Sequence, residues 1–136
     1  MLRTAVDTSI LLDVFGADKK YGETSLKALI HCLEQGTLVA CEVVWAEIRP
    51  KFQSRNELLG VADGLSLVYE PLTQDSALKA GEVMKEYRER GGKRDKMIPD
   101  FLIAAHALIQ TDRLITRDRG FYRRYFSSLK IIEPGN

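Results

Sequence analysis

Four acidic residues, Asp7, Glu47, Asp100 and Asp118, stand where carboxylate chemistry can be assembled. Asp7 closes a short apolar run at residues 4–6, and Asp118 lies just beyond another at 113–116. Glu47 follows the run at 37–41 by about a turn and a half of helix. Asp100 opens a stretch, 101–109, that is apolar nearly all round a helix. In an open parallel sheet, ligands bind at the carboxyl ends of the strands. A helix leading into the next strand begins at that same edge, so all four acids map to one rim. Two carboxylates ~4 Å apart repel by about 4 kcal/mol at an effective dielectric of 20. Convergence of four therefore implies a bound cation or an unusually raised pKa. An oxygen-only set selects a hard cation, Mg²⁺ or Mn²⁺, over zinc. Ser9 and Thr116, each two residues from an acid, carry hydroxyls that orient a carboxylate or a bound water, or only satisfy local backbone groups.

Each acid also has an ordinary structural role open to it. Asp7 suits the cap of a helix starting near Ser9. Asp100 suits a helix N-terminus through the dipole, worth about 0.3–1 kcal/mol. Glu47 can pair with Arg49 or Lys51, and Asp118 fits a turn in Thr116-Arg-Asp-Arg-Gly120. Their shared position at one sheet edge is what sets the four apart from solitary surface acids.

The elements that must position them follow from periodicity. Residues 4–6 read as a first strand. Leu26, Leu29, Ile30 and Leu33 fall at helical spacing, so residues 21–35 form an amphipathic helix with Gly36 at its C-terminal end. Residues 37–41 form a second strand, followed by a helix that Pro50 ends or kinks. A short helix at 57–63 and a strand at 65–69 come next. Thr73 caps a helix whose one face is lined by Ala77, Leu78, Met84 and Tyr87 and which stops at Gly91. Pro99 opens the apolar helix to Gln110, which is placed centrally. Residues 113–116 and 129–132 supply the last strands. Strands alternating with helices give an α/β fold, a parallel-sheet α/β/α sandwich of about five short strands with helices on both faces.

The chain has 136 residues, 45% of them hydrophobic and 29% charged, which suits a single domain over 1–136 and excludes wholesale disorder. No apolar run approaches the roughly 20 residues of a membrane span, and Asp7 and Asp13 interrupt any signal-peptide core, so a cytoplasmic location is expected. Cys32 and Cys41 have neither CxxC nor metal-type spacing and read as buried small hydrophobes.

The acid-bearing segments resemble those of the PIN-domain ribonucleases, specifically VapC-type toxins of toxin–antitoxin pairs, over essentially the full length. The likeness rests on Val6-Asp7-Thr8-Ser9, on Glu47 in Trp45-Ala-Glu-Ile48, on Pro99-Asp100-Phe-Leu-Ile-Ala-Ala-His106, and on Leu114-Ile-Thr-Arg-Asp118. It implies that Asp7, Glu47, Asp100 and Asp118 form a catalytic, Mg²⁺- or Mn²⁺-binding pocket supported by Ser9 and Thr116. Gly120 precedes Phe121 where many members carry a further acid, so Asp118 has no neighbour to substitute for it. The implied reaction is metal-dependent hydrolysis of RNA phosphodiester bonds. The implied partners are an RNA substrate, a cognate antitoxin and a second copy of the chain in a homodimer.

An acidic pocket cannot attract RNA alone. Arg117, Arg119, Arg123 and Arg124 follow the fourth strand, and Lys93, Arg94 and Lys96 precede Asp100; both groups are candidate phosphate contacts, with solvated charge as the ordinary alternative. Tyr122 or Tyr125 can stack on a base or pack on the last strand. Phosphatases of the dehalogenase type also place an acid after the first strand, but they need a second acid two residues on, where this chain has Ser9. The non-enzymatic alternative is a PIN-like module that binds RNA or protein, or only dimerises. Loss of a pocket acid is its expected mark, and all four are kept.

Overall fold

The computed structural model describes residues 1–93 and 98–135. Arg94 and Lys96, together with the Arg119 side chain, lie outside what it describes. The chain runs β1 (Leu2–Val6), α1 (Thr8–Phe15), α2 (Gly22–Gln35), β2 (Gly36–Ala40), α3 (Glu42–Ile48), a 3₁₀ turn (Arg49–Lys51), α4 (Arg55–Gly64), β3 (Val68–Tyr69), α5 (Gln74–Glu89), α6 (Ile98–Gln110), β4 (Arg113–Ile115), α7 (Arg119–Tyr125) and β5 (Ile131–Ile132). The five strands form one parallel sheet in the order β3-β2-β1-β4-β5. From β1 the chain steps outward to β2 and β3, then returns to β4 on the other side of β1 and continues to β5. Crossovers on both sides of that reversal put helices on both faces, as the alternating pattern predicts. The reversal lies between β1 and β4.

The central strands are short apolar runs because they are covered on both faces. Ala5, Val6, Leu38, Val39, Leu114 and Ile115 are all buried. Helices α2, α3 and α6 contact the strands, α1 packs on α2 and α3, and α5 packs on α6. Helix α6 buries Phe101, Ile103, Ala104, Ala105, His106 and Ala107, so it is the central helix its all-round apolar character predicts. Cys32 and Cys41 are buried, and burial raises both thiol pKa values. Among the described residues no helix is long and apolar enough to cross a membrane.

Helix α5 departs from the sequence expectation. Its buried stripe is Ser76, Ala80, Val83 and Tyr87, while Leu78 is 59% exposed and Ala77 faces solvent. Small residues at 76 and 80 let α6 approach closely. The Ser76 hydroxyl donates to Gln110 Oε1 at 2.7 Å, which satisfies it inside that contact. Strands β3 and β5 are also shorter than their apolar runs, since Ser66 takes a left-handed conformation and the Leu129 amide donates to the Phe126 carbonyl in a turn.

A second buried polar group ties α6 to the sheet. The Arg3 guanidinium bonds both Glu70 and the carbonyl of Gln110. His106 Nε2 lies 3.1 Å from Glu70 Oε2, without hydrogen-bond geometry for either atom. Burial lowers the His106 pKa, against the upward pull of Glu70.

Gly36 fastens the turn from α2 into β2. A Cβ there would lie 1.8 Å from the Leu2 carbonyl oxygen, in the ladder that pairs Leu2 with Gly36. Gly36→Ala is expected to cost about 2–4 kcal/mol, because backbone rather than a flexible side chain must move. Urea unfolding checks this, and a loss below about 1 kcal/mol would contradict the close approach.

Candidate active site

At the β1/β4 reversal the two strand ends deliver Asp7 and the turn that carries Asp118. The Asp7 amide donates to the Ile115 carbonyl at 3.1 Å, extending the ladder one residue past β1. The buried Thr116 hydroxyl donates to Asp7 Oδ2 at 2.6 Å and accepts from the Asp118 amide at 2.9 Å. One hydroxyl therefore fixes both acid-bearing turns. Ser9 Oγ donates to the same Asp7 oxygen at 3.2 Å. Both hydroxyls named from sequence thus touch the Asp7 carboxylate. Asp7 occupies the cap position of α1, yet its side chain makes no capping hydrogen bond.

Thr8 is a contributor that sequence reasoning missed. Its hydroxyl donates to Glu47 Oε1 at 2.6 Å, drawing α3 to the head of α1. Among the described residues, Glu47 makes this bond in place of an ion pair with Arg49 or Lys51. The signal available was the run Asp7-Thr8-Ser9, but a threonine hydroxyl at a helix start ordinarily serves the backbone.

The four acids differ in burial. Asp7 is 6% exposed, Asp100 and Asp118 are half-buried, and Glu47 is exposed, so the site is a crevice that opens outward. Burial raises the Asp7 pKa to about 6 despite the hydroxyls of Thr116 and Ser9 and the Thr8 amide, and the charge on Asp100 adds to the rise. Tyr122, buried under the site, has its phenol pKa raised first by burial and then by Asp7, Asp100, Asp118 and Glu47. All four carboxylates thus act on one buried group. The donor set, carboxylates and hydroxyls, suits a hard divalent cation. Among the described residues, however, no three acidic, histidine or cysteine side chains are gathered closely enough to hold an ion as they stand. The crevice collects the acids around a common field without closing them into a cage.

The PIN domain family profile matches residues 4–127. The chain belongs to the PIN domain family. Similar solved structures include VapBC2 of Rickettsia felis bound to a DNA fragment from its promoter, at 18% identity and a TM-score of 0.77, covering 98% of this chain and 99% of that one. VapBC-1 of nontypeable Haemophilus influenzae is similar at 17% identity and 0.75, covering 97% and 98%. DNA-bound VapBC of Salmonella typhimurium follows at 17% and 0.70, covering 98% of each chain. At these identities the likeness is one of fold. No curated protein sequence matches.

In this PIN domain the basic residues named from sequence separate into two groups. Arg117 is not available as a phosphate contact. Its Nε and Nη2 bond the two oxygens of buried Asp13 at 2.6 and 2.9 Å, and its guanidinium lies 4.0 Å from the Tyr21 ring centroid. Ser25 Oγ also donates to Asp13, at 2.8 Å. Asp13 had no partner in the sequence reading because Arg117 lies 104 residues away. Arg123, Arg124 and Lys93 are exposed.

Two outcomes follow from this geometry. An aspartate whose folded pKa lies above its unfolded value is most favourable when protonated, so its contribution is full below about pH 4 and is lost as pH rises through about 6. Metal-free protein is therefore expected to lose stability between pH 5 and pH 7.5, and Asp7→Asn to flatten that loss and gain about 1–3 kcal/mol at pH 7.5. Urea unfolding in EDTA tests it; equal pH slopes in both proteins would contradict the buried-charge account. Arg117→Met strands the Asp13 charge and is expected to cost about 2–4 kcal/mol, against less than about 0.5 for Arg123→Ala. Thermal unfolding separates the pair.

Proposed function

We propose that this PIN domain is a Mg²⁺- or Mn²⁺-dependent endoribonuclease, the toxin of a VapC-type toxin–antitoxin pair. The observation that carries the reading is the Thr116 hydroxyl that joins the Asp7 carboxylate to the Asp118 turn at the β1/β4 crevice, with Glu47 drawn toward the head of α1 by Thr8. The fold likeness to VapBC structures supports the toxin assignment and a cognate antitoxin as partner; a homodimeric state belongs to the same reading.

Asp7, Asp100 and Asp118 would hold the cation, Asp7 and Asp118 being linked through Thr116. A bound divalent cation supplies charge that stabilises the transition state at phosphorus and makes water a competent nucleophile near neutral pH. Glu47, at the crevice mouth and steered by Thr8, orients the attacking water and accepts its proton. The water oxygen forms the new bond to phosphorus as the bond to the leaving ribose oxygen breaks. Lys93, Arg123 and Arg124 hold flanking phosphates.

The test is cleavage of labelled RNA by purified protein in Mn²⁺, Mg²⁺ or EDTA, with Asp100→Asn prepared identically. The expected result is cutting that requires the cation and falls at least about 100-fold, roughly 2.7 kcal/mol, in the variant. Equal cutting by both proteins would contradict the reading. No cutting with no Mn²⁺ bound would favour a non-catalytic RNA- or protein-binding module.

A further inference from the structure

We propose that the groove between the C-terminal end of α5 and α7 is a nucleotide subsite, holding one base and its phosphate of single-stranded RNA beside the acidic crevice. The proposal rests on the ribonuclease reading above and names where its substrate lies. The groove encloses about 390 Å³, and its lining includes Arg90, Lys93, Arg124 and Tyr125. Among the described residues three cations and no acid line it, so it complements a phosphate although the acids of the adjoining rim do not. It reaches Gly120 and Phe121, two and three residues beyond Asp118, and Phe121 packs edge-on against Phe101, the residue after Asp100.

Its walls are built. The Tyr87 hydroxyl donates to the Lys93 carbonyl, which ties down the backbone that carries Lys93 at the edge. Gly92 permits this contact, since a Cβ there would fall 2.4 Å from the Tyr87 ring. Tyr125, half-buried, has the Tyr87 ring edge-on at 4.9 Å and the Arg124 guanidinium 5.5 Å from its centroid. That combination is a ring held rigid with a cation beside it, the pairing that stacks a base and grips its phosphate. Gly120 is the last element. It sits in the first turn of α7, where glycine is a poor helix former, and a Cβ there would meet nothing within 4 Å. Packing does not require a glycine at this place, and its bareness leaves the groove open.

The test is fluorescence anisotropy of a labelled short single-stranded RNA titrated with the full chain in EDTA, where no cutting is expected. Arg124→Gln and Tyr125→Leu are expected to weaken binding about ten-fold each, and Arg124→Gln to reduce the salt slope by about 0.7. Gly120→Gln fills the groove without removing a contact and is expected to weaken binding several-fold with no loss of thermal stability. That variant and Arg124→Gln carry the test if Tyr125→Leu unfolds. Lys85→Gln, an exposed cation on α5 outside the groove, is expected to bind as wild type. Wild-type affinity in Gly120→Gln and Arg124→Gln, or an equal loss in Lys85→Gln, overturns the subsite. RNA binding that depends on the groove in a protein that cuts no RNA would overturn the ribonuclease reading and leave the subsite standing.

Discussion

The Thr116 hydroxyl is the point on which the site depends. It is buried at the seam of β1 and β4, donates to the Asp7 carboxylate and accepts from the Asp118 amide. A parallel sheet that reverses direction at this seam leaves a crevice between the two strand ends. Beyond the backbone bond from the Asp7 amide to the Ile115 carbonyl, this hydroxyl is the group that spans it. One hydroxyl can serve both because it is a donor and an acceptor at once. Helices α1 and α7 then start from turns whose relative position is fixed, and with them the approaches to the crevice.

The same seam holds a carboxylate that the metal-free fold disfavours. Asp7 is buried among apolar strands, and two hydroxyls and an amide do not fully offset its desolvation. The protein handles its other buried acid differently. Asp13 receives a bidentate guanidinium from Arg117 and a hydroxyl from Ser25, so its charge is matched inside the chain. Glu70 is likewise met by Arg3. Among the described residues, Asp7 alone of these three has no cationic side chain placed on it, and the charge of Asp100 adds to its burden. In the proposed ribonuclease this is the carboxylate that a bound cation would neutralise, at some expense of stability in the cation's absence.

Much of this was legible in the chain. The four acids, Ser9 and Thr116 could be placed because strand ends in a parallel α/β fold define a common edge, and short apolar runs mark those ends. The α6 helix was legible because it is apolar all round. What was not legible depended on partners distant in sequence. Arg117 reads as a free cation until Asp13, 104 residues away, is brought beside it. Thr8 reads as a helix-start hydroxyl until α3 presents Glu47. The buried face of α5 was misassigned because Leu78 is more apolar than Ser76, whereas the close approach of α6 selected the smaller residue and satisfied its hydroxyl. Helix α7 was hidden within a cluster of arginines whose charges suggested surface rather than secondary structure.

The most direct measurement is anomalous diffraction from crystals of the protein soaked in Mn²⁺. The account predicts a peak in the β1/β4 crevice, within about 2–2.5 Å of carboxylate oxygens of Asp7, Asp100 and Asp118, with those side chains drawn together around it. A crevice without a peak at a Mn²⁺ concentration that fills surface sites would contradict the account.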